Sequence, residues 1–299
     1  MLAKKLKYGD KIGLVSPSEN IKEEDLEDIK ESVKILEKLG YITVFGKNAY
    51  KNTTGYGATA KEKAEDINEM YKNKEIKAIL SIKGGFNSNS VFEYLDLNLI
   101  KENNKILCGY SDATSYINYI QAKTGNSCFI GPNLKSLNSS ETDYSLKQML
   151  NHFNNGSFDL IDKDDEIICI KKGMAKGKLI GGNLSLIANM QEELDFYNKI
   201  LFLEELYYES PPAMVSNHLY KLKQKGVFNN LAGIWLGNYE GDYPIEKILI
   251  DTIDDLNLDI PVIKSNNFGH TEKKMTIPIG IEAEIKNNEI KIIEKYLED

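Results

Sequence analysis

Hydrophobic residues in the first half of the chain fall into short runs, separated by segments with helical spacing. The first of these segments is amphipathic from Leu26 to Leu36 and stops at Gly40. Strands that alternate with helices indicate an α/β fold, whose mostly parallel sheet is flanked by helices. The predicted strands are Lys11–Val15, Tyr41–Phe45, Lys77–Ile82, Ile106–Cys108 and Ser127–Ile130.

The second half has shorter runs and a less regular alternation, which favours a smaller α+β domain with barrel-like strands. Predicted helices span Leu184–Met190, Pro212–Lys225 and Pro244–Leu256. Predicted strands lie near Lys178–Ile180, Ile200–Leu203, Gly233–Leu236, Met275–Ile279, Ala283–Ile285 and Ile290–Ile293. A polar, glycine-bearing stretch separates the halves, so we predict domains at 1–150 and 166–299 joined by a linker at 151–165.

The charge of the chain narrows the function classes. Its 299 residues carry a formal net charge of −8 and no basic stripe, which argues against nucleic acid as a partner. No run of apolar residues approaches the length of a membrane span, and the N-terminus has no apolar signal core. We therefore expect a cytoplasmic protein with no membrane partner.

The cysteines and histidines argue against a metal site. Cys108, Cys128 and Cys169 are widely spaced in apolar runs, which predicts buried free thiols. The three histidines form no pair at metal-ligand spacing, so we expect no zinc.

The segment Gly109-Tyr110-Ser111-Asp112 is the first candidate for chemistry. It lies between a predicted strand and a predicted helix, and a sharp turn there exposes the serine beside backbone N–H groups. A nucleophilic serine needs that exposure and those donors. A Ser-Asp pair after a strand is also typical of a plain helix N-cap, so both interpretations stand at this point.

Three further segments carry polar groups at strand ends or in loops. Glu204 follows four apolar residues, which indicates either a partly buried carboxylate or a surface acid. His270 follows a glycine in a polar loop, where it can act as a general base or simply be solvated. Gly84-Gly85 follows a strand, so its backbone can approach a ligand or form a tight turn.

Together these motifs resemble the serine LD-carboxypeptidase family, which includes muropeptide LD-carboxypeptidases and microcin C self-immunity peptidases. The resemblance covers nearly the whole chain, in the same order. The segments that carry it are Ile82-Lys-Gly-Gly-Phe86, Gly109-Tyr-Ser-Asp112, Gly131-Pro132, Leu179-Ile-Gly-Gly-Asn183, Leu201-Phe-Leu-Glu204, Gly269-His-Thr271 and Pro278-Ile-Gly280.

The resemblance implies a serine peptidase with a catalytic triad. Ser111 would be the nucleophile, His270 the general base, and Glu204 the acid that orients His270. Backbone N–H groups of Gly85 and Asp112 would form the oxyanion hole. The resemblance further implies a site between two domains, a small peptide or peptide-conjugate substrate, a homodimer, and no metal or organic cofactor.

The motifs leave the substrate open. Release of terminal D-alanine from cytoplasmic muropeptide tetrapeptides is the first expectation. The sequence Gly-Gly-Phe86-Asn-Ser-Asn89 looks more like the microcin-immunity branch, whereas Glu205-Leu206 departs from that branch's pattern.

Two other interpretations stay open on the residues alone. The chain can be a ligand-binding protein without catalysis, or a hydrolase in which Lys83 serves Ser111 as the base. Both give different results from the triad when Ser111 or His270 is replaced.

Overall fold

The computed structural model describes residues 2–138, 142–162, 165–190, 193–206, 208, 211–239, 245–286 and 288–299. The helices are α1 (Leu26–Lys38), α2 (Ala60–Lys72), α3 (Leu97–Glu102), α4 (Ala113–Thr124), α5 (Thr142–Leu150), α6 (Leu184–Asn189), α7 (Pro212–Gln224) and α8 (Ile245–Asp254). The strands are β1 (Ala3–Lys4), β2 (Lys11–Val15), β3 (Ile42–Phe45), β4 (Ile76–Ser81), β5 (Ile106–Gly109), β6 (Cys128–Ile130), β7 (Ile168–Lys171), β8 (Ala175–Asn183), β9 (Lys199–Glu205), β10 (Gly233–Tyr239), β11 (Val262–Lys264), β12 (Ile277–Ile279), β13 (Glu282–Lys286), β14 (Glu289–Ile292) and β15 (Leu297–Glu298).

The chain forms two compact units. Unit 1 comprises Met1–Ser157, Met275–Pro278 and Lys295–Asp299, and unit 2 comprises Phe158–Lys274 and Ile279–Glu294. The domain boundaries expected at 1–150, 151–165 and 166–299 stay a prediction, and residues 163–164 of that linker lie outside the described ranges.

Unit 1 is built on a six-stranded sheet in the order β12-β6-β5-β4-β2-β3. The strands β2 to β6 pair in parallel with their neighbours, as the alternation of strands and helices predicts. A capping box forms at the start of α2, with Thr59 N–H donating to Glu62 Oε2 at 2.9 Å. Because β4, β5 and β6 are parallel neighbours, their carboxyl ends lie side by side at one edge of this sheet.

Unit 2 is built on a seven-stranded mixed sheet in the order β14-β13-β8-β9-β10-β11-β7, which curls as a half-barrel. Its four central strands, β8 to β11, are parallel. The predicted fold class, a flanked parallel sheet plus an α+β part with barrel-like strands, is confirmed. No helix in the described ranges combines the length and apolar character needed to cross a bilayer.

Several element boundaries differ from the sequence-based predictions. The pattern missed the strands β1, β7, β11 and β15, which are only two to four residues long. The helix predicted over Pro244–Leu256 is α8, and Pro244 itself lies outside the described residues. Strands of two to four residues, such as the four that were missed, contain too few residues to show an alternation of apolar and polar positions.

The segment Asn151–Asn155, expected in the polar linker, forms a π-helical turn that buries His152 and Phe153. His152 Nδ1 lies 2.6 Å from the hydroxyl of Tyr296, and that hydroxyl donates to Ser157 O at 2.7 Å. Phe129 packs edge-on against both Phe153 and Tyr296. This aromatic cluster anchors the returning segment 295–299 in unit 1.

The thiols agree with the prediction in two cases out of three. Cys108 and Cys128 are buried and free, and burial raises the pKa of each thiol well above its usual range. The prediction that Cys169 is buried was wrong. Cys169 is free but partly exposed, because β7 is an edge strand of its sheet.

Candidate active site

Ser111 lies on the turn between β5 and α4, at the carboxyl end of a central parallel strand. Its backbone has φ of 61°, a left-handed conformation that side chains other than glycine rarely adopt. Thr114 N–H donates to Ser111 O at 2.8 Å and closes the turn. A strained serine between a strand and a helix is the backbone signature of a nucleophile held away from the sheet.

If this segment were a plain helix N-cap, the Asp112 side chain would cap α4. The Asp112 side chain makes no capping hydrogen bond to α4. It is buried, its Oδ2 accepts from Ser88 N–H at 2.8 Å, and its carbonyl accepts from Ser88 Oγ at 2.6 Å. Asp112 therefore ties the turn to the loop that follows Gly84-Gly85. Burial raises the pKa of the Asp112 carboxyl, against the effect of these hydrogen bonds.

Two glycines make room for the serine turn. A Cβ added to Gly109 would lie 2.4 Å from Ser81 Oγ. A Cβ added to Gly84 would lie 3.0 Å from Ser111 Cβ and 3.1 Å from Ser111 Oγ. The backbone at Gly84 thus passes directly beside the serine side chain. Gly85 is also restricted, since its φ is 134° and its α-carbon faces Glu19.

Asn133 supports the turn from the neighbouring strand, and the sequence argument missed it. Its Oδ1 accepts from Tyr110 N–H at 3.1 Å, and its Nδ2 donates to Tyr110 O at 3.4 Å. The side chain is almost fully buried. A polar residue three positions after the end of β6 was a usable signal, because the carboxyl ends of adjacent parallel strands share one edge.

Lys83 and Lys135 share one carboxylate beside the Gly84-Gly85 loop. Lys83 Nζ lies 2.7 Å from Asp25 Oδ2, and Lys135 Nζ lies 2.5 Å from Asp25 Oδ1. Burial acts to raise the pKa of Asp25, but the bonds from Lys135 and Lys83 outweigh it and lower the pKa to about 2. Lys83 is therefore engaged as an ion pair, which favours a structural role over that of a base.

Glu204 and His270 are in direct contact in unit 2. Glu204 is the penultimate residue of the parallel strand β9 and is nearly fully buried. Its Oε2 lies 2.7 Å from His270 Nδ1. Burial alone lowers the pKa of His270, but the charge of Glu204 and its hydrogen bond raise the pKa above the ordinary value. A carboxylate only accepts, so the proton lies on Nδ1 and Nε2 is left as the basic nitrogen.

Aromatic packing places the His270 loop. Phe268 is buried, with its ring centroid 4.7 Å from that of Trp235 on β10 and 5.9 Å from that of Phe202 on β9. Gly269 follows with φ of 104°, and a Cβ there would lie 2.7 Å from Glu204 Cβ. Only glycine allows the loop to turn this close to β9.

Glu205 points into a separate polar network. Its Oε1 accepts from Asn183 Nδ2 at 2.6 Å and from Leu206 N–H at 2.8 Å, and its Oε2 accepts from Ser185 N–H at 2.8 Å. Burial, reinforced by the charge of Glu204, raises the pKa of Glu205 to about 8. Of the two adjacent acids, Glu204 is therefore the one that contacts His270.

The predicted site residues divide between the units. Ser111, Gly85 and Asp112 belong to unit 1, and Glu204 and His270 belong to unit 2. The other two histidines are buried, His152 in its aromatic cluster and His218 on α7. Among the described residues, no group of three or more His, Cys, Asp or Glu side chains is arranged to hold a metal ion.

Two family models match the chain along its length. The LD-carboxypeptidase N-terminal domain matches residues 12–131, and the LD-carboxypeptidase C-terminal domain matches residues 176–285. The chain belongs to the LD-carboxypeptidase family. The first match includes Ser111 and the second includes Glu204 and His270, so each predicted catalytic residue lies within a family domain.

Relatives in this family carry two kinds of name. A probable murein peptide carboxypeptidase of Bacillus subtilis is 30% identical over 96% of this chain and 92% of its own. The microcin C7 self-immunity protein MccF of Escherichia coli is 30% identical over 99% of this chain and 97% of its own. A structure of MccF in complex with glutamyl sulfamoyl guanosine superimposes with a TM-score of 0.91 at 28% identity, covering 99% of both chains. This LD-carboxypeptidase family member is thus similar to both branches.

Proposed function

We propose that this protein is a serine peptidase whose triad is Ser111, His270 and Glu204. The observation that carries the proposal is the 2.7 Å contact between Glu204 Oε2 and His270 Nδ1. It supplies an oriented base with a raised pKa, and the strained turn at Ser111 supplies a nucleophile of the matching kind.

In this mechanism Ser111 Oγ attacks the scissile carbonyl while His270 Nε2 takes the hydroxyl proton. Glu204 stabilises the imidazolium that results, and His270 then protonates the leaving amine. Backbone N–H groups of Gly85 and Asp112 stabilise the oxyanion. Water attacks the acyl-enzyme in the second half of the reaction, with His270 again acting as the base.

The proposed reaction is LD-carboxypeptidase cleavage, which releases terminal D-alanine from cytoplasmic muropeptide tetrapeptides. The family match and the murein-named relative support this choice. A carboxypeptidase must also bind the substrate's terminal carboxylate. Lys274 is a candidate for that role, because its Nζ donates to Thr271 O, next to His270. Burial lowers the pKa of Lys274, and the charge of Glu204 opposes that effect.

A second candidate is an immunity-type peptidase that cleaves the amide of aminoacyl nucleotides. The resemblance of the segment Gly84–Asn89 to that branch favours it, together with the similarity to MccF bound to glutamyl sulfamoyl guanosine. Both candidates use the same triad, and they differ in the acyl group and the leaving group of the substrate. We further propose that the protein is a homodimer. Sedimentation equilibrium, which gives the molecular mass in solution, tests this proposal.

The experiment is turnover of UDP-MurNAc-tetrapeptide and of glutamyl sulfamoyl guanosine by the purified protein. We expect D-alanine release from the tetrapeptide, and a loss of about 10⁴–10⁶ in kcat for Ser111→Ala and His270→Ala. A tetrapeptide ending in D-alanine amide controls for recognition of the carboxylate, and Lys274→Met should raise KM for the acid more than for the amide.

The outcomes separate the alternatives. Cleavage of the sulfamoyl nucleotide alone supports the second candidate. Ligand-induced stabilisation with no turnover of either compound supports a binding protein and overturns the proposal. Activity that survives His270→Ala but not Lys83→Met supports the Ser-Lys interpretation.

A further inference from the structure

A cavity of about 380 Å³ opens in unit 1 at the amino ends of the parallel strands. Ile76, the first residue of β4, and Lys105, which precedes β5, form its floor. Five of its lining residues are lysines: Lys4, Lys74, Lys77, Lys101 and Lys105. A cluster of this kind is unexpected in a chain whose net charge is −8.

None of these ammonium groups is neutralised within the described part of the chain. No described carboxylate lies within ion-pair distance of any of the five, although Glu102 and Glu298 also line the cavity. Lys77 Nζ donates to Lys74 O at 2.8 Å, and Lys74 donates to the side chain of Asn103. Because these acceptors are neutral and the five lysines outnumber the two lining carboxylates, the cavity keeps an excess of positive charge.

Lys105 shows that the charges act on one another. Its side chain is buried, with Nζ donating to Met70 O at 2.7 Å and also to Asn73 O. Burial, reinforced by the charges of Lys77 and Lys74, lowers the pKa of Lys105 to about 8. An anion placed between these groups would relieve the repulsion and favour the protonated form.

We propose that this lysine cavity binds a small molecule that carries a diphosphate or triphosphate group. Such a group concentrates several negative charges in a small volume, and lysine ammonium groups bind phosphate oxygens as point charges. The volume lies in the range of small-molecule sites. The acidic surface elsewhere disfavours a long polyanion such as RNA.

The lysine cavity is distinct from the proposed catalytic site. Lys105 and Ser111 flank opposite ends of β5, whose four residues of extended chain span about 13 Å. A ligand in the cavity therefore occupies a second site, and the inference does not depend on the proposed peptidase activity.

The test is isothermal titration calorimetry of the full chain with inorganic tripolyphosphate and pyrophosphate. The cavity variant is Lys4→Gln with Lys101→Gln, since these two exposed side chains make no hydrogen bond within the described chain. The matched control is Lys47→Gln with Lys61→Gln, which removes the same charge from exposed positions elsewhere in unit 1. We expect affinity to fall at least about tenfold in the cavity variant and to stay within about twofold in the control.

Two further measurements test whether the binding is specific to the lysine cavity and to a soluble phosphate compound. At pH 8, titration in buffers of different ionisation enthalpy should show proton uptake on binding. Vesicles that contain a phosphatidylinositol bisphosphate test a lipid headgroup as the source of the phosphate. No binding of tripolyphosphate by wild type, an equal loss in both double variants, or binding to vesicles alone would each overturn the proposal.

Discussion

One oxygen of Glu204 accepts two hydrogen bonds from His270, from the backbone N–H at 3.1 Å and from ring Nδ1 at 2.7 Å. The same carboxylate therefore fixes the position of the loop and the tautomer of the imidazole. Gly269 makes the double contact possible, because any side chain there would meet Glu204. Position and protonation state of the proposed base thus depend on a single atom.

Replacing Glu204 with Gln should reduce kcat by about 10³–10⁴, because the amide no longer stabilises an imidazolium. The charge of Glu204 raises the pKa of His270, so its removal should move the acid limb of the pH–rate profile to lower pH. The measurement is kcat/KM against pH for both proteins, with Glu166→Gln as an exposed control in the same unit. An unshifted acid limb would show that His270 is not the titrating group.

The Gly84→Ala variant tests the approach of the loop to Ser111. The added methyl would lie 3.0 Å from Ser111 Cβ and 3.1 Å from Oγ, so either the loop or the serine must move. We expect kcat to fall at least about tenfold, since small displacements of a nucleophile are costly. Gly173→Ala is the control, because its methyl meets Pro261 at a similar 3.2 Å in unit 2. Equal, small effects in both variants would contradict a role for Gly84 at the site.

Asn133→Ala should lower kcat while leaving KM nearly unchanged, because it removes both hydrogen bonds that hold Tyr110 beside Ser111. Loss of a buried hydrogen-bonded amide costs about 1–3 kcal/mol of stability. Asn126→Ala separates the two effects, since Asn126 is equally buried and bonds Ile100 O at 2.7 Å far from the serine turn. Chemical denaturation and steady-state kinetics on both variants decide whether kcat follows stability or position.

Asp25→Asn should destabilise unit 1 by about 3 kcal/mol, because two lysines lose their shared carboxylate. The folded-state pKa of Asp25 is lowered to about 2, so its contribution is present above the unfolded value near 3.8. That contribution is lost as the pH falls through about 2. Urea unfolding of wild type and variant between pH 2 and 7 should therefore converge at the acid end. Curves that stay parallel would rule out this linkage.

His152 should make the protein less stable in mild acid. Its pKa is lowered to about 4 by burial, against an unfolded value of 6.5. Between these values the unfolded chain binds more protons, so stability falls as the pH drops from 6.5 to 4, by about 3 kcal/mol in full. His152→Leu should remove this slope, although it also loses the bond to Tyr296. Tyr296→Phe removes that bond, together with the bond to Ser157 O, but keeps the buried imidazole and should keep the slope.

The strands that could be predicted from the sequence are those that form continuous apolar runs. β2 was predicted with its observed ends, and β4, β5 and β6 to within a residue or two, because buried parallel strands read as continuous apolar runs. β7 and β11 could not be predicted, since their three or four residues form a sheet only through partners distant in sequence.

For the candidate site, the residue types and their order could be predicted from the sequence, but the groups that support them could not. The motif at Gly109–Asp112 predicted the turn, yet the positive φ of Ser111 needed the backbone itself. Asn133, Asp25 and the Phe202–Trp235–Phe268 packing act on residues far along the chain. Their roles arise from tertiary contacts that no local pattern contains.

The chain leaves unit 1 to form unit 2 and later returns to unit 1 twice, which affects the order of folding during synthesis. Met275–Pro278 and Lys295–Asp299 belong to unit 1, and Tyr296 packs on Phe129 and His152. While the ribosome is making unit 2, unit 1 still lacks an edge strand and part of its aromatic cluster. Nascent chains released before Tyr296 should therefore be recognised by chaperones and proteases even though Ser111 and every residue of its turn are already present.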